Sequence, residues 1–305
     1  MNRREFLVAG AAVLLAGCAR QEPGRPSQLP EPPVTASPAV ASPTALSYAV
    51  AAGGTPAERV VQALVVSGLA AQGFVSATAG LPAGNVYDLG AAVSAGSTPF
   101  ALGFAGTLLS QVTIETQPSG PNDTMSTLAS ALAPDVGLLA ASPCDGRLVW
   151  AVGPGASISS LGNLSKWKQK KVVVPSFAVE RPDGIPALKA VYGAALTVQT
   201  QDDPAARHAA LMNHTADLAA FRACDVGALA GLTALADPNE IVQPDPMVVL
   251  FEASLGEDQP DVVLAVNTLL GALGTDVVAS LEPQVAGGTD PATLADAWVS
   301  KNLPH

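Results

Sequence analysis

Few residues in this sequence combine a useful type with a useful spacing: three histidines, three cysteines, one helix start and one aromatic turn. His208, His214 and His305 show no metal-ligand spacing, and the first two are six residues apart, off a common helical face. There is no GxSxG elbow and no Walker A loop. The GPG at 153–155 lacks a third glycine and reads as a turn, and the carboxylates are too scattered to pair as acid and base. Catalysis is therefore not expected, and neither a cofactor nor a metal is implied. Two binding-type signals remain. In GFAGTLL, 103–109, Phe104 beside Gly106 and Thr107 reads either as core filling or as the wall of a binding site. In GGTPAE, Thr55, Pro56 and Glu58 form a capping box after a strand and two glycines; the free N–H groups there suit plain helix initiation or an anion site.

The cysteines divide by position. MNRREF, the apolar run LVAGAAVLLAG and the small residues before Cys18 form an export signal over 1–17, too short to span a bilayer. Arg3-Arg4 followed by Glu5, Phe6 and Leu7 fits twin-arginine export, with general secretion as the other route. Leu15-Ala16-Gly17-Cys18 resembles a bacterial lipobox, which makes Cys18 the lipidated N-terminus and places the protein on the outer face of the cytoplasmic membrane; a secreted protein with a chance cysteine is the alternative. Cys144 and Cys224 are then left in an oxidising compartment, where they read as a disulfide or as two small buried hydrophobes.

Composition limits the partners. With 15 Lys and Arg against 26 Asp and Glu, a net charge of −11 argues against nucleic acid or an anionic lipid surface and suits a cationic or zwitterionic small ligand. Residues 18–47, dense in Pro, Ala and Ser, cannot bury a core and read as a tether. Taken whole, a chain of 305 residues at 49% hydrophobic suffices for two compact lobes. YAVAAGG reads as a strand and 55–72 as a helix. Strands are expected near 100–102, at RLVWAVG and KKVVVPS, near 226–228 and at MVVLFE. Helices are expected over 124–131, 185–192 and 205–213, with a short one at ISSLGNLSKW and two at PDVVLAVNTLLGAL and PATLADAWVSKNL. This alternation indicates an α/β protein with covered sheets.

The segment from Ala236 onward carries a family likeness. Asp290, Pro291, Ala295 and Trp298 match a D-P-x-x-x-A-x-x-W final helix. Arg181, Asp183, Gly184 and Leu188, then Tyr192 and Gly193, match a strand followed by R-x-D-G-x-x-x-L and Y-G, and GFAGTLL is similar to E-Y-T-G-T. Together these motifs resemble the ABC-transporter solute-binding proteins for glycine betaine, choline and carnitine. The resemblance implies a two-lobe periplasmic-binding-protein fold of type II, its lobes joined by two crossing strands. Lobe I would be 48–142 plus 238–305, and lobe II 143–237, so that Cys144 leaves the first crossing and Cys224 lies on a later strand of lobe II. It further implies a monomer that holds a small solute between the lobes and delivers it to an inner-membrane ABC permease. The ligand-binding candidates are then Thr55, Phe104, Thr107, Phe177, Arg181, Asp183 and Asp225, with Arg181 as an anion partner or only a salt-bridge donor.

One departure bears on the ligand. A quaternary ammonium has no N–H to donate, so proteins hold it against several ring faces. Phe104 falls on one such position, but Leu148, Arg222 and Pro244 fall near the other three; Trp150, Phe177, Phe221 and Phe251 are the rings close by. A surface lipoprotein that keeps the scaffold as a receptor or envelope interaction module is the second reading.

Overall fold

A computed structural model describes residues 47–81, 86–112, 121–167 and 170–303. The export signal, Cys18 and the tether up to residue 46 lie outside the described residues.

The chain builds one sheet, crosses to a second, and returns. The outward leg comprises β1 (Ser47–Ala52), α1 (Pro56–Ala71), β2 (Val75–Gly80), α2 (Val86–Ser94), β3 (Phe100–Phe104), α3 (Ala105–Val112), α4 (Pro121–Ala131) and β4 (Val136–Leu138). The second sheet and its helices are β5 (Leu148–Val152), β6 (Lys170–Val174), α5 (Ile185–Tyr192), β7 (Leu196–Thr200), α6 (Pro204–Met212), β8 (Leu218–Arg222), α7 (Val226–Leu229) and β9 (Thr233–Ala234). The return leg is β10 (Met247–Glu252), α8 (Ser254–Asp258), α9 (Pro260–Ala272), α10 (Thr275–Ala286) and α11 (Pro291–Asn302).

The two five-stranded sheets are both mixed and share one topology, ordered β2-β1-β3-β10-β4 and β7-β6-β8-β5-β9. In each, three strands run parallel and the strand that arrives by a crossing runs antiparallel to both its neighbours: β10 between β3 and β4, and β5 between β8 and β9. The crossings pair with each other. Ser142 N–H donates to the Met247 carbonyl (2.7 Å), Met247 N–H to Cys144 (2.8 Å), and Gly146 N–H to Asp245 (2.7 Å). This is a two-lobe, type II binding-protein architecture of mixed α/β class.

Local sequence explains most elements. Thr55 caps α1 as read: its hydroxyl accepts from Glu58 N–H, and the Glu58 carboxylate accepts from Thr55 N–H at 3.1 Å. The apolar faces of α1, α9, α10 and α11 pack over the first sheet in one core that includes Leu64, Phe100, Val266 and Val299. The second sheet has its own core around Trp150, Leu161, Val172 and Leu188. Among the described residues no single helix is long and apolar enough to cross a membrane.

One expected strand is wrong. Residues 226–228 form the single turn α7, and the strand lies just before it at β8. Both flanks of β8 are paired and every residue is buried, so its alanines show no polar alternation; the strand ends at Arg222, and α7 begins after Asp225. β2 and β7, both edge strands, and α10, which contains Pro283, also went without a local signal.

Candidate functional site

The crossings bring a buried charge cluster to the junction of the lobes. β3 ends at Phe104, and α3 starts at once, so Thr107 stands in the first turn of that helix in lobe I. Arg181 and Asp183 follow a short 3-10 turn, Ser176–Ala178, after β6 in lobe II. Arg222 closes β8, on the strand face shared by Leu218 and Ala220, which join the core of that lobe. Asp245 stands on the second crossing, between Pro244 and Pro246.

Asp245 is the centre of the cluster and is fully buried, at 0% exposure. Its Oδ1 accepts from Thr107 N–H (3.0 Å), and its Oδ2 accepts from the Thr107 hydroxyl (2.8 Å), from Arg222 Nη1 (2.8 Å) and from Arg181 Nη1. Arg181 also grips Asp183 through Nε and Nη2, the latter at 2.8 Å, while Gln243 N–H donates to Asp183 at 3.0 Å. Two arginines and two aspartates thus balance in charge, all buried. A carboxylate removed from water is costly unless its partners replace the lost hydration, and here they do. Burial pushes the Asp245 pKa up, but the Arg181 and Arg222 charges outweigh it and hold the carboxyl below its ordinary value. Burial would likewise lower Arg181; Asp245 and Asp183 reverse that and the net is upward.

The aromatic part of the site is occupied from within. Arg222 Cζ lies 3.7 Å from the Phe104 ring centroid and 4.0 Å from that of Phe177. Arg222 Nη1 also donates to the Gly146 carbonyl (3.2 Å), and Nη2 to the Thr107 hydroxyl (3.3 Å). Two glycines make the approach possible. A Cβ on Gly146 would stand 2.3 Å from the Phe104 ring and 2.6 Å from Arg222 Nη1, and one on Gly106 would meet Asp245 Oδ1 at 3.0 Å.

The structure brings five of the seven candidates together: Phe104, Thr107, Phe177, Arg181 and Asp183. Thr55 is engaged with Glu58, so the helix start is served by its own carboxylate. Asp225 sits behind the cluster, accepting from Arg222 N–H (2.9 Å) and lying 3.4 Å from Arg207 Nη2; burial raises its pKa despite these partners. Of the other nearby rings, Trp150 and Phe221 are core residues, and Phe251 packs against the core of lobe I. Sequence reasoning missed Asp245 altogether and treated Arg222 only as a missing ring. The available signal was a charge flanking each buried run, after it in LAAFR and before it in PDPMVVL.

Two further contacts bear on the lobes. Glu282 of α10 reaches across to α7, where Gly227 N–H donates to Oε2 at 2.6 Å; its other oxygen has no hydrogen-bond partner, and burial raises its pKa. Cys144 and Cys224 are free, buried thiols adjacent to one another. The Cys224 N–H donates to the Asp145 carbonyl at 3.1 Å, and a hydrogen bond with Cys144, then burial, pushes the Cys224 thiol pKa well up.

No protein-family model and no curated protein matches the chain by sequence. Solved structures do match in fold. A glycine betaine/carnitine/choline ABC transporter structure superposes with a TM-score of 0.64 at 17% identity, over 83% of this chain and 98% of that one. Lactococcal OpuAC in its closed-liganded conformation with glycine betaine gives 0.61 at 13% identity, over 84% and 95%. An ABC-transporter choline binding protein in complex with choline gives 0.59 at 13%, over 84% and 88%. At these identities the likeness establishes the fold, that of ABC-transporter substrate-binding proteins.

Proposed function

We propose that the protein is the extracytoplasmic, lipid-anchored solute-binding component of an ABC importer. In this reading it closes its lobes on a small zwitterionic or quaternary-ammonium-like solute and presents the closed form to a permease. The observation that carries the reading is the placement of the cluster: Thr107 and Phe104 from lobe I meet Arg181, Arg222 and Phe177 from lobe II around Asp245 on the crossing. Contacts of this kind exist only when the lobes are shut, so a solute that adds to them shifts the population toward closure. Cys18 would supply the anchor, and the chain would act as a monomer. A thermal-shift screen of the mature protein against glycine betaine, choline, carnitine and related zwitterions tests it. A solute bound at 100 times its Kd adds about 2.7 kcal/mol of stability, and silence across the panel would refute the reading.

The second reading, a scaffold retained as a receptor or envelope interaction module, is favoured by one feature. The charged groups of the cluster satisfy one another without a solute. Its signature would be lobes already closed in solution, by small-angle scattering, with no response to any solute.

A further inference from the structure

The same cleft narrows the chemistry of its occupant, an inference that rests on reading the cleft as the binding site. Three acceptors surround the space between Phe104 and Phe177: Asp245 Oδ2, the Gly146 carbonyl and the Thr107 hydroxyl, at 2.8, 3.2 and 3.3 Å from the Arg222 nitrogens. The Gly146 carbonyl has its donor in Arg222, whereas Asp245 Oδ2 and the Thr107 hydroxyl also accept from Arg181 Nη1 and take a second N–H from Arg222. Cζ distances of 3.7 and 4.0 Å to the two ring centroids leave room for a flat cation stacked between them. A tetrahedral quaternary ammonium fails on both counts. Its methyl groups hold the nitrogen farther from a ring face, and it donates no hydrogen bond, leaving the Gly146 carbonyl without its donor and the fully buried Asp245 carboxylate with one of its two guanidinium partners.

We propose that the space between Phe104 and Phe177 is a site for a guanidinium-class cation, and that the chain's own Arg222 fills it in the unliganded protein. Arg222 acts as a tethered occupant that holds lobe II against Phe104 of lobe I. An incoming solute must present a flat, N–H-bearing cation and displace the side chain, which is then free to meet the anionic end of a zwitterion. The solute class is therefore a guanidino or amidino zwitterion rather than a trimethylammonium compound.

The test is chemical rescue of the mature protein carrying Arg222→Ala. Methylguanidinium at about five times its Kd should raise the melting temperature of the variant by about 2–4 °C over a sodium chloride control of equal ionic strength. The natural protein, whose site is filled, should not respond, and tetramethylammonium should shift neither. A folded variant that ignores methylguanidinium, or answers tetramethylammonium as strongly, overturns the proposal. Should the variant not fold, side-chain 15N–1H spectra of arginine-labelled natural protein decide. Arg222 should give ring-shifted, slowly rotating Nη–H signals that move in Phe177→Leu, and free-arginine shifts would refute it. An osmolyte that stabilises the natural protein while Arg222→Ala ignores methylguanidinium leaves the transport reading standing and sinks this one; the reverse result does the opposite.

Discussion

Replacing Asp245 by Asn removes one negative charge from a cluster that is otherwise neutral and has little access to water. Two guanidiniums share Asp245 Oδ2, and only Arg181 keeps another carboxylate, Asp183; Arg222 is left with carbonyl, hydroxyl and ring contacts. At an effective dielectric constant near 20, charges about 4 Å apart attract by roughly 4 kcal/mol, a gain offset in part by burial. Removing one member of a buried pair costs about 3–5 kcal/mol, because the partner's desolvation is no longer compensated. The amide cannot repair the site. With its oxygen toward the arginines its NH2 confronts Thr107 N–H, and flipped it confronts two guanidiniums. Urea unfolding at pH 7 should show a loss of about 3–5 kcal/mol, and the melting temperature should fall by about 6–20 °C. The pH dependence has a definite sign. The folded-state pKa of Asp245 lies below its ordinary value of 3.8, so its contribution is present above pH 3.8 and is lost as pH falls through the folded pKa. Asp245→Asn should therefore flatten the stability profile on the acid side while lowering it at neutral pH. A loss under about 1 kcal/mol, of the size seen for exposed pairs, would refute the view that the lobes are tied through this carboxylate.

Glu282→Gln should act in the opposite sense. A raised carboxyl pKa means that the folded state retains a proton the unfolded state has lost above pH 4.5, so stability falls as pH rises from there; the variant should match or exceed the natural protein at pH 7 and lose that advantage below pH 4.5 in parallel urea titrations. Gly146→Ala should open the junction by crowding Phe104 and Arg222, at a cost of about 1–3 kcal/mol and with lobe separation visible by small-angle scattering. In the exported protein we propose that Cys144 and Cys224 are oxidised to a disulfide closing a long loop, a gain of about 4 kcal/mol. Thiol labelling after unfolding without reductant should then find neither cysteine free, and two labelled thiols would disprove it.

What was legible in the sequence followed how local each signal is. The Thr55–Glu58 box determined its helix within four residues, and KKVVV and MVVLFE announced themselves as buried strands by composition. β8 did not, because a central strand flanked on both sides needs no polar alternation, and the valine of the following helical turn drew the strand assignment instead. The site was half legible for a related reason. Phe104, Thr107, Arg181 and Asp183 lie in compact motifs, whereas the acceptor that joins them, Asp245, is 138 residues from Thr107 and 64 from Arg181. Only the pairing of the two crossings sets that register. The scarcity of rings, which on the sequence alone pointed away from the family's usual ligand, has a physical explanation in Arg222. A quaternary ammonium held without hydrogen bonds depends on many ring faces. A guanidinium that is paired with a buried carboxylate and donates to a carbonyl and a hydroxyl needs two, and Phe104 and Phe177 are the two it has.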